Sequence, residues 1–197
     1  MTADAMDLQR RRFLTLATTA MGAVGTAYVA VPFVASWQPS ARAKALGAPV
    51  EADIGKLEPG QILRVKWRGQ PVWVVYRTEQ NIVDLKATSG SLLDPSSEAS
   101  QQPGDCQNAL RSKKPKYLVA VGICTHLGCS PLYRPEVAPA DLGPEWKGGF
   151  YCPCHGSVFD LAGRVAKGVP APANLKIPPY RFINDSLILI GEDGGAT

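Results

Sequence analysis

Cys152-Pro153-Cys154-His155 puts three metal-capable side chains within four residues. Cys124-Thr125-His126-Leu127-Gly128-Cys129 supplies three more. These two stretches hold four of the five cysteines and both histidines of the chain. Only 22 residues separate them, so they can be two loops that meet. Cys124 with His126, and Cys152 with His155, each pair a thiolate with an imidazole. Cys129 and Cys154 are left over, one per stretch. A structural zinc site would take four such groups in a tetrahedron. A 2Fe–2S cluster of mixed ligation would take two cysteines on one iron and two histidines on the other. Zinc sites usually leave two to four residues between paired ligands, whereas Cys124 and His126 leave one. Zinc also gives no reason for two surplus cysteines, which in an exported domain have a use as a disulfide. A catalytic Cys–His pair needs one of each. The spacing favours the cluster.

Such loops need a rigid frame, and the surrounding sequence reads as β structure. YLVAVGI at 117–123 is a strong strand running straight into the first stretch. In ILRVKWRGQPVWVVY, Leu63, Val65 and Trp67 alternate with Arg64 and Lys66. Arg68 to Pro71 is turn chemistry, and VWVVY is a buried strand. YRFI, Asn184-Asp185 and SLILI form a hairpin. IVDL at 82–85 reads as a short strand. Residues 88–116 form a long polar insert of the kind that is often functional or mobile. A helical turn is expected between Asn108 and Lys114, and Cys106 is expected to be a free, incidental thiol. The 17 prolines and 19 glycines also suit a loop-rich β protein.

Charge narrows the class. Of a formal +4, part sits in Arg10-Arg11-Arg12. From Ala48 onward 16 Lys+Arg face 15 Asp+Glu, which gives no footprint for nucleic acid. Residues 13–35 carry no charge. As a helix they would rise about 35 Å, enough for a bilayer core of about 30 Å. Arg10 and Arg11 followed by Phe13 and Leu14 resemble a twin-arginine export signal, which exports proteins already folded around a cofactor. A cleaved leader has an apolar region of about 7–15 residues, and this one is longer, so a retained anchor is expected. The arginines then stay cytoplasmic and the rest faces the other side. The expected organisation is residues 1–12 cytoplasmic, 13–37 membrane anchor, 38–47 linker, and 48–197 the head. Trp37 suits the membrane interface. The linker reads as flexible or transiently helical.

CTHLGC followed by CPCHGS resembles the Rieske iron–sulfur proteins. Anchor, linker and β head together resemble the Rieske subunit of bacterial cytochrome bc complexes, over nearly the whole chain. The resemblance implies an all-β head of antiparallel sheets with a small cluster-binding part, about 118–173. It implies one Rieske 2Fe–2S cluster, with Cys124 and Cys152 on the inner iron and His126 and His155 on the outer. Cys129 and Cys154 would form a disulfide. Gly168, Pro170 and Pro172, in GVPAP, match the proline loop that covers the cluster, and Leu127 matches a docking residue. His155 is the histidine expected to meet quinol, taking up a proton with the electron. Implied partners are quinol, a b-type and a c-type cytochrome subunit, in a dimeric, membrane-embedded complex outside which this subunit would not turn over. The implied location is the bacterial inner membrane, single-pass, with a periplasmic head, serving a respiratory chain.

One position departs from the pattern. Ser157 matches the family serine that hydrogen-bonds a bridging sulfur. Two residues on, high-potential members carry a tyrosine, and here Phe159 stands. The expectation is a potential below that of tyrosine-containing relatives. Other homes for such motifs fit less well. A periplasmic molybdenum-oxidase subunit, such as that of arsenite oxidase, would not explain the insert, linker and retained span. A soluble Rieske ferredoxin would not explain the anchor and the leftover cysteine pair.

Overall fold

Alternation in ILRVKW and the apolar run in VWVVY build a hairpin whose two-residue turn is Arg68-Gly69. Both turn residues have positive φ, 50° and 76°, the twist that a tight hairpin favours. A computed structural model describes residues 3–88, 90–99 and 101–192. The hairpin strands are β2 (Ile62–Trp67) and β3 (Gln70–Tyr76), and β4 (Tyr117–Val121) pairs with β3. Strand β3 starts earlier than expected, because Gln70 and Pro71 already pair with Trp67 and Lys66. Two further three-stranded sheets complete the head. One has the order β1 (Val50–Asp53), β9 (Leu187–Ile190), β8 (Tyr180–Phe182). The other has the order β5 (Leu132–Arg134), β6 (Gly149–Cys152), β7 (Ser157–Asp160). All pairings are antiparallel. The expected hairpin near the end is β8–β9, and Asn184 Oδ1 accepts from the Ser186 amide in its turn.

The chain divides into Met1–Ala45 and Leu46–Thr197. In the first unit, helix α1 (Ala3–Ser36) runs without a break, starting ahead of the predicted anchor because no proline or glycine interrupts residues 3–21. It is long and apolar enough to cross a membrane. Phe13, Met21, Tyr28 and Phe33 are each at least 68% exposed, so its apolar surface is available to lipid all along. Thr15, Thr18, Thr19 and Thr26 donate to carbonyls one turn earlier, which satisfies these four hydroxyls in an apolar medium. Pro39 disfavours helix at Gln38 and ends α1. The linker then forms a short helix, α2 (Ala41–Gly47), capped where Ser40 Oγ accepts from the Ala43 amide.

Two expectations for the head are corrected. IVDL is not a strand; it lies within helix α3 (Glu79–Ala87). Thr78 and Asn81 form a reciprocal capping box at its start, and Ile82 and Leu85 point inward three residues apart while Val83 is exposed. The insert is not a loose excursion either. Leu92, Ser97, Cys106, Leu110, Arg111 and Ser112 are buried. Its helical turn is a single 3-10 turn at Gly104–Cys106, ahead of the expected place. Cys106 is free but not incidental: it is 0% exposed, and its thiol donates to Tyr180 Oη at 3.7 Å.

The core joins the sheets through aromatic rings. Trp73 of β3 stacks on Phe150 of β6 with centroids 4.9 Å apart. Tyr133 of β5 packs on the same Phe150 and donates to the Gly60 carbonyl at 2.8 Å. Strands β6 and β7 approach so closely that a Cβ on Gly149 would sit 2.1 Å from the Phe159 carbonyl oxygen. Backbone cannot yield as a side chain does. Gly149→Ala should therefore cost about 3 kcal/mol or more. Gly104→Ala, with nothing within 4 Å, should stay within about 1 kcal/mol of the parent. Urea unfolding of the solubilised protein, followed by tryptophan fluorescence, checks both.

Candidate metal centre

Both cysteine–histidine stretches are turns at the ends of strands. The first leaves β4 through Gly122 and Ile123. It closes on itself: the Cys124 amide donates to the Cys129 carbonyl at 2.7 Å, and the Gly128 amide to the Cys124 carbonyl at 3.1 Å. The second joins β6 to β7. Cys152 and Ser157 are cross-strand partners, so Pro153 to Gly156 span a four-residue turn, closed by the Gly156 amide on the Cys152 carbonyl at 2.9 Å. Positive φ at Gly128 (84°) and Gly156 (74°) permits both closures.

A disulfide between Cys129 and Cys154, with Cα atoms 6.7 Å apart, ties the turns together. It spans 25 residues of sequence, a closure worth about 3.5 kcal/mol in the chain-entropy account. The sulfurs of Cys129, Cys152 and Cys154 lie within 4.8 Å of one another, but two of the three are spent on this bond. Two free thiols remain here, Cys124 and Cys152, each 2% exposed. In the same two turns, the rings of His126 and His155 stand edge to face with centroids 4.7 Å apart. His155 is exposed and His126 half-buried.

The donor set fits a mixed-ligand cluster. Nδ1 of His126 is buried and finds no hydrogen-bond partner among the described residues. A buried polar atom left alone costs about 1–3 kcal/mol, and coordination to iron would remove that cost. Cys152 and Ser157 both act on the Cys124 thiol. Burial pushes this thiol up; the His126 amide pulls it down, Cys152 pushes it up, and Ser157 pulls it down. Ser157 is 0% exposed and its oxygen accepts from the Ala171 amide at 3.1 Å, which leaves its own hydrogen to donate toward sulfur.

The 168–173 segment closes a third side. Gly168, Pro170 and Pro172 are exposed along it, while Ala171 is buried against Ser157. Thr125, between two candidate ligands, donates to the Ala173 carbonyl at 2.6 Å. Asn174 anchors the far end, accepting from the Val165 amide and donating to the Asp94 carbonyl. Sequence reasoning missed Thr125 and Asn174; a threonine inside a ligand turn and an asparagine after the proline loop were the only signals. Leu127 is 73% exposed at the tip of the first turn. Phe159 is 1% exposed, paired across the strands with Phe150. Arg10, Arg11, Phe13 and Leu14 lie exposed on α1, apart from this group in sequence and in the division into units.

Comparison with known proteins bears on both units. A family model described as the Rieske 2Fe-2S domain matches residues 49–179. Another, described as the ubiquitinol-cytochrome C reductase Fe-S subunit TAT signal, matches residues 1–40. The ubiquinol-cytochrome c reductase iron-sulfur subunit of Allochromatium vinosum is 63% identical over 196 residues, covering 100% of this chain and 95% of the relative. Subunits of the same description from Blastochloris viridis and Rhodospirillum rubrum are 43% and 44% identical, covering 95% and 92% of this chain and 96% and 91% of the relatives. With both units matched and a full-length relative at that identity, the chain belongs to the Rieske iron–sulfur subunits of ubiquinol–cytochrome c reductase, and its cofactor is a Rieske 2Fe–2S cluster.

Proposed function

We propose that Cys124 and Cys152 hold one iron, that His126 and His155 hold the other, and that the head takes an electron and a coupled proton from quinol and serves a c-type cytochrome subunit. The second electron of each quinol goes to a b-type cytochrome subunit. A cluster bound to two neutral imidazoles in place of two thiolates supplies a one-electron acceptor of raised potential. The observation that carries the reading is the asymmetric pair: half-buried His126 beside exposed His155, 4.7 Å apart. His155 keeps an outward ring edge, and its non-ligating nitrogen can take a quinol proton there. Leu127, at the tip of the other turn, gives the same surface an apolar contact for docking. The near-complete burial of Cys124 and Cys152 keeps water from the sulfurs.

The organisation follows the same reading. Residues 1–12 are cytoplasmic, 13–37 cross the inner membrane, 38–47 are a hinge, and 48–197 are a periplasmic head whose cluster-binding part is about 118–173. Arg10, Arg11 and Arg12 before the apolar run support that orientation. The complex is a dimer, and its turnover needs all three subunits. Helix α2 supports movement of the head. At seven residues it is too short to be stable alone in water. It is about 10 Å long as a helix and about 24 Å extended, so unwinding lengthens the tether by about 14 Å.

Purification through a tag on this chain, followed by ascorbate reduction, should yield a Rieske-type electron paramagnetic resonance signal together with b and c haem. The signal without haem would move the chain to a periplasmic oxidase, and zinc in place of iron would end the ligand assignment. Replacing residues 40–45 with polyproline should slow cytochrome c reduction and leave that signal intact; unchanged turnover removes the moving-head reading. Phe159→Tyr supplies the hydroxyl that the family pattern directs to a ligand sulfur. If one hydrogen bond favours the reduced form by about 1–1.5 kcal/mol, a redox titration should find the midpoint about 40–65 mV higher.

A further inference from the structure

Three arginines are buried in the head: Arg77, Arg111 and Arg164, none more than 1% exposed. Only Arg164 belongs to an ion pair, with Asp160 at 2.7 Å. No ion pair among the described residues includes Arg77 or Arg111. Their hydrogen-bond partners are neutral. Arg77 donates to the carbonyls of Leu110 and Pro115 at 2.8 Å, to that of Leu161 at 3.4 Å, to that of Tyr117 at 3.5 Å, and to the Ser112 hydroxyl. Arg111 donates to the carbonyls of Ala162 and Gly163 at 3.2 Å and to Gln102 Oε1 at 3.3 Å. Asp160 acts on both through space, and Asp94 acts on Arg111. Three guanidiniums thus face two carboxylates. Burial pulls Arg77 and Arg111 down to about 10, which leaves both charged at neutral pH.

Holding unpaired charge in a protein interior is expensive. Neutral oxygens accept from these guanidiniums without neutralising them, and Arg111 Nε is buried with no hydrogen-bond partner among the described residues. Arg77 and Arg111 both grip the turn 161–163, which is the direct continuation of β7. Strand β7 begins at Ser157, the cross-strand partner of Cys152. Three strand steps, about 10 Å, separate Ser157 from Asp160. Charge buried at this depth escapes the screening that weakens surface charge beyond about 8–10 Å. A fixed positive charge favours the redox form carrying one more electron.

We propose that Arg77 and Arg111 form a permanent positive charge behind β7 that raises the reduction potential of the centre. The inference rests on the ligand assignment above. The test is a redox titration of the paramagnetic signal in the purified complex, comparing Arg111→Gln, Arg111→Lys and Asp160→Asn. Arg111→Gln should lower the ratio of reduced to oxidised centre at fixed ambient potential about fivefold, the effect of a unit charge roughly 15–20 Å away at an effective dielectric constant of about 20. Arg111→Lys keeps the charge and should restore most of that ratio. Asp160→Asn removes a negative charge and should raise it. Loosened packing alone would not give opposite signs for Arg111→Gln and Asp160→Asn. Arg77→Gln replaces Arg111→Gln where the latter does not assemble. Unchanged potentials in the glutamine variants, with the signal intact, overturn the electrostatic role and leave the ligand assignment standing. Absence of the signal from the unaltered complex overturns the ligand assignment, and this inference with it.

Discussion

The Cys129–Cys154 bond is the constraint on which the metal centre depends. In the proposed assignment each turn brings one cysteine and one histidine, and neither turn alone can surround two irons. Backbone hydrogen bonds shape each turn internally, but the disulfide is what holds one against the other. By taking two of four neighbouring sulfurs out of contention, it also leaves one free thiol and one imidazole on each side. Which thiols are free to serve as ligands is thus set partly by which cysteines are already bonded.

Around that bond the head works as a set of nested supports. Strands β4, β6 and β7 deliver the turns at fixed register. The 168–173 segment is fastened to both turns through Thr125 and Ser157, so it cannot lift from one without losing a hydrogen bond to the other. Behind it, Asn174 and the buried arginines bind the 88–116 segment to the turn after β7. Residues far apart in sequence therefore stabilise the back of the site while its front stays open at His155 and Leu127.

The two hairpins, β4 and the ligand turns were legible in the sequence because their signals are local. Alternation, a two-residue turn and cysteine–histidine spacing each fit within a dozen residues. IVDL misled because four residues are too few to separate a period of two from one of three and a half; the decisive signal was the cap at Thr78 and Asn81, outside the apolar run. The insert misled for another reason. Its polar composition suggests solvent, yet Arg111 and Ser112 are buried by carbonyls and side chains more than thirty residues away in sequence. Nothing in a linear reading announces a buried arginine whose partners are backbone oxygens. Thr125 was hidden likewise, since its acceptor lies 48 residues further on.

The burial of Cys106 also changes what can be done with this molecule in the laboratory. With that thiol at 0% exposure, Cys129 and Cys154 joined, and Cys124 and Cys152 enclosed at 2%, the folded head offers maleimide reagents no accessible native sulfur. A single cysteine introduced on its surface would be the sole attachment point for a fluorophore or spin label. Distances from the head to its surroundings can then be followed without removing any natural cysteine.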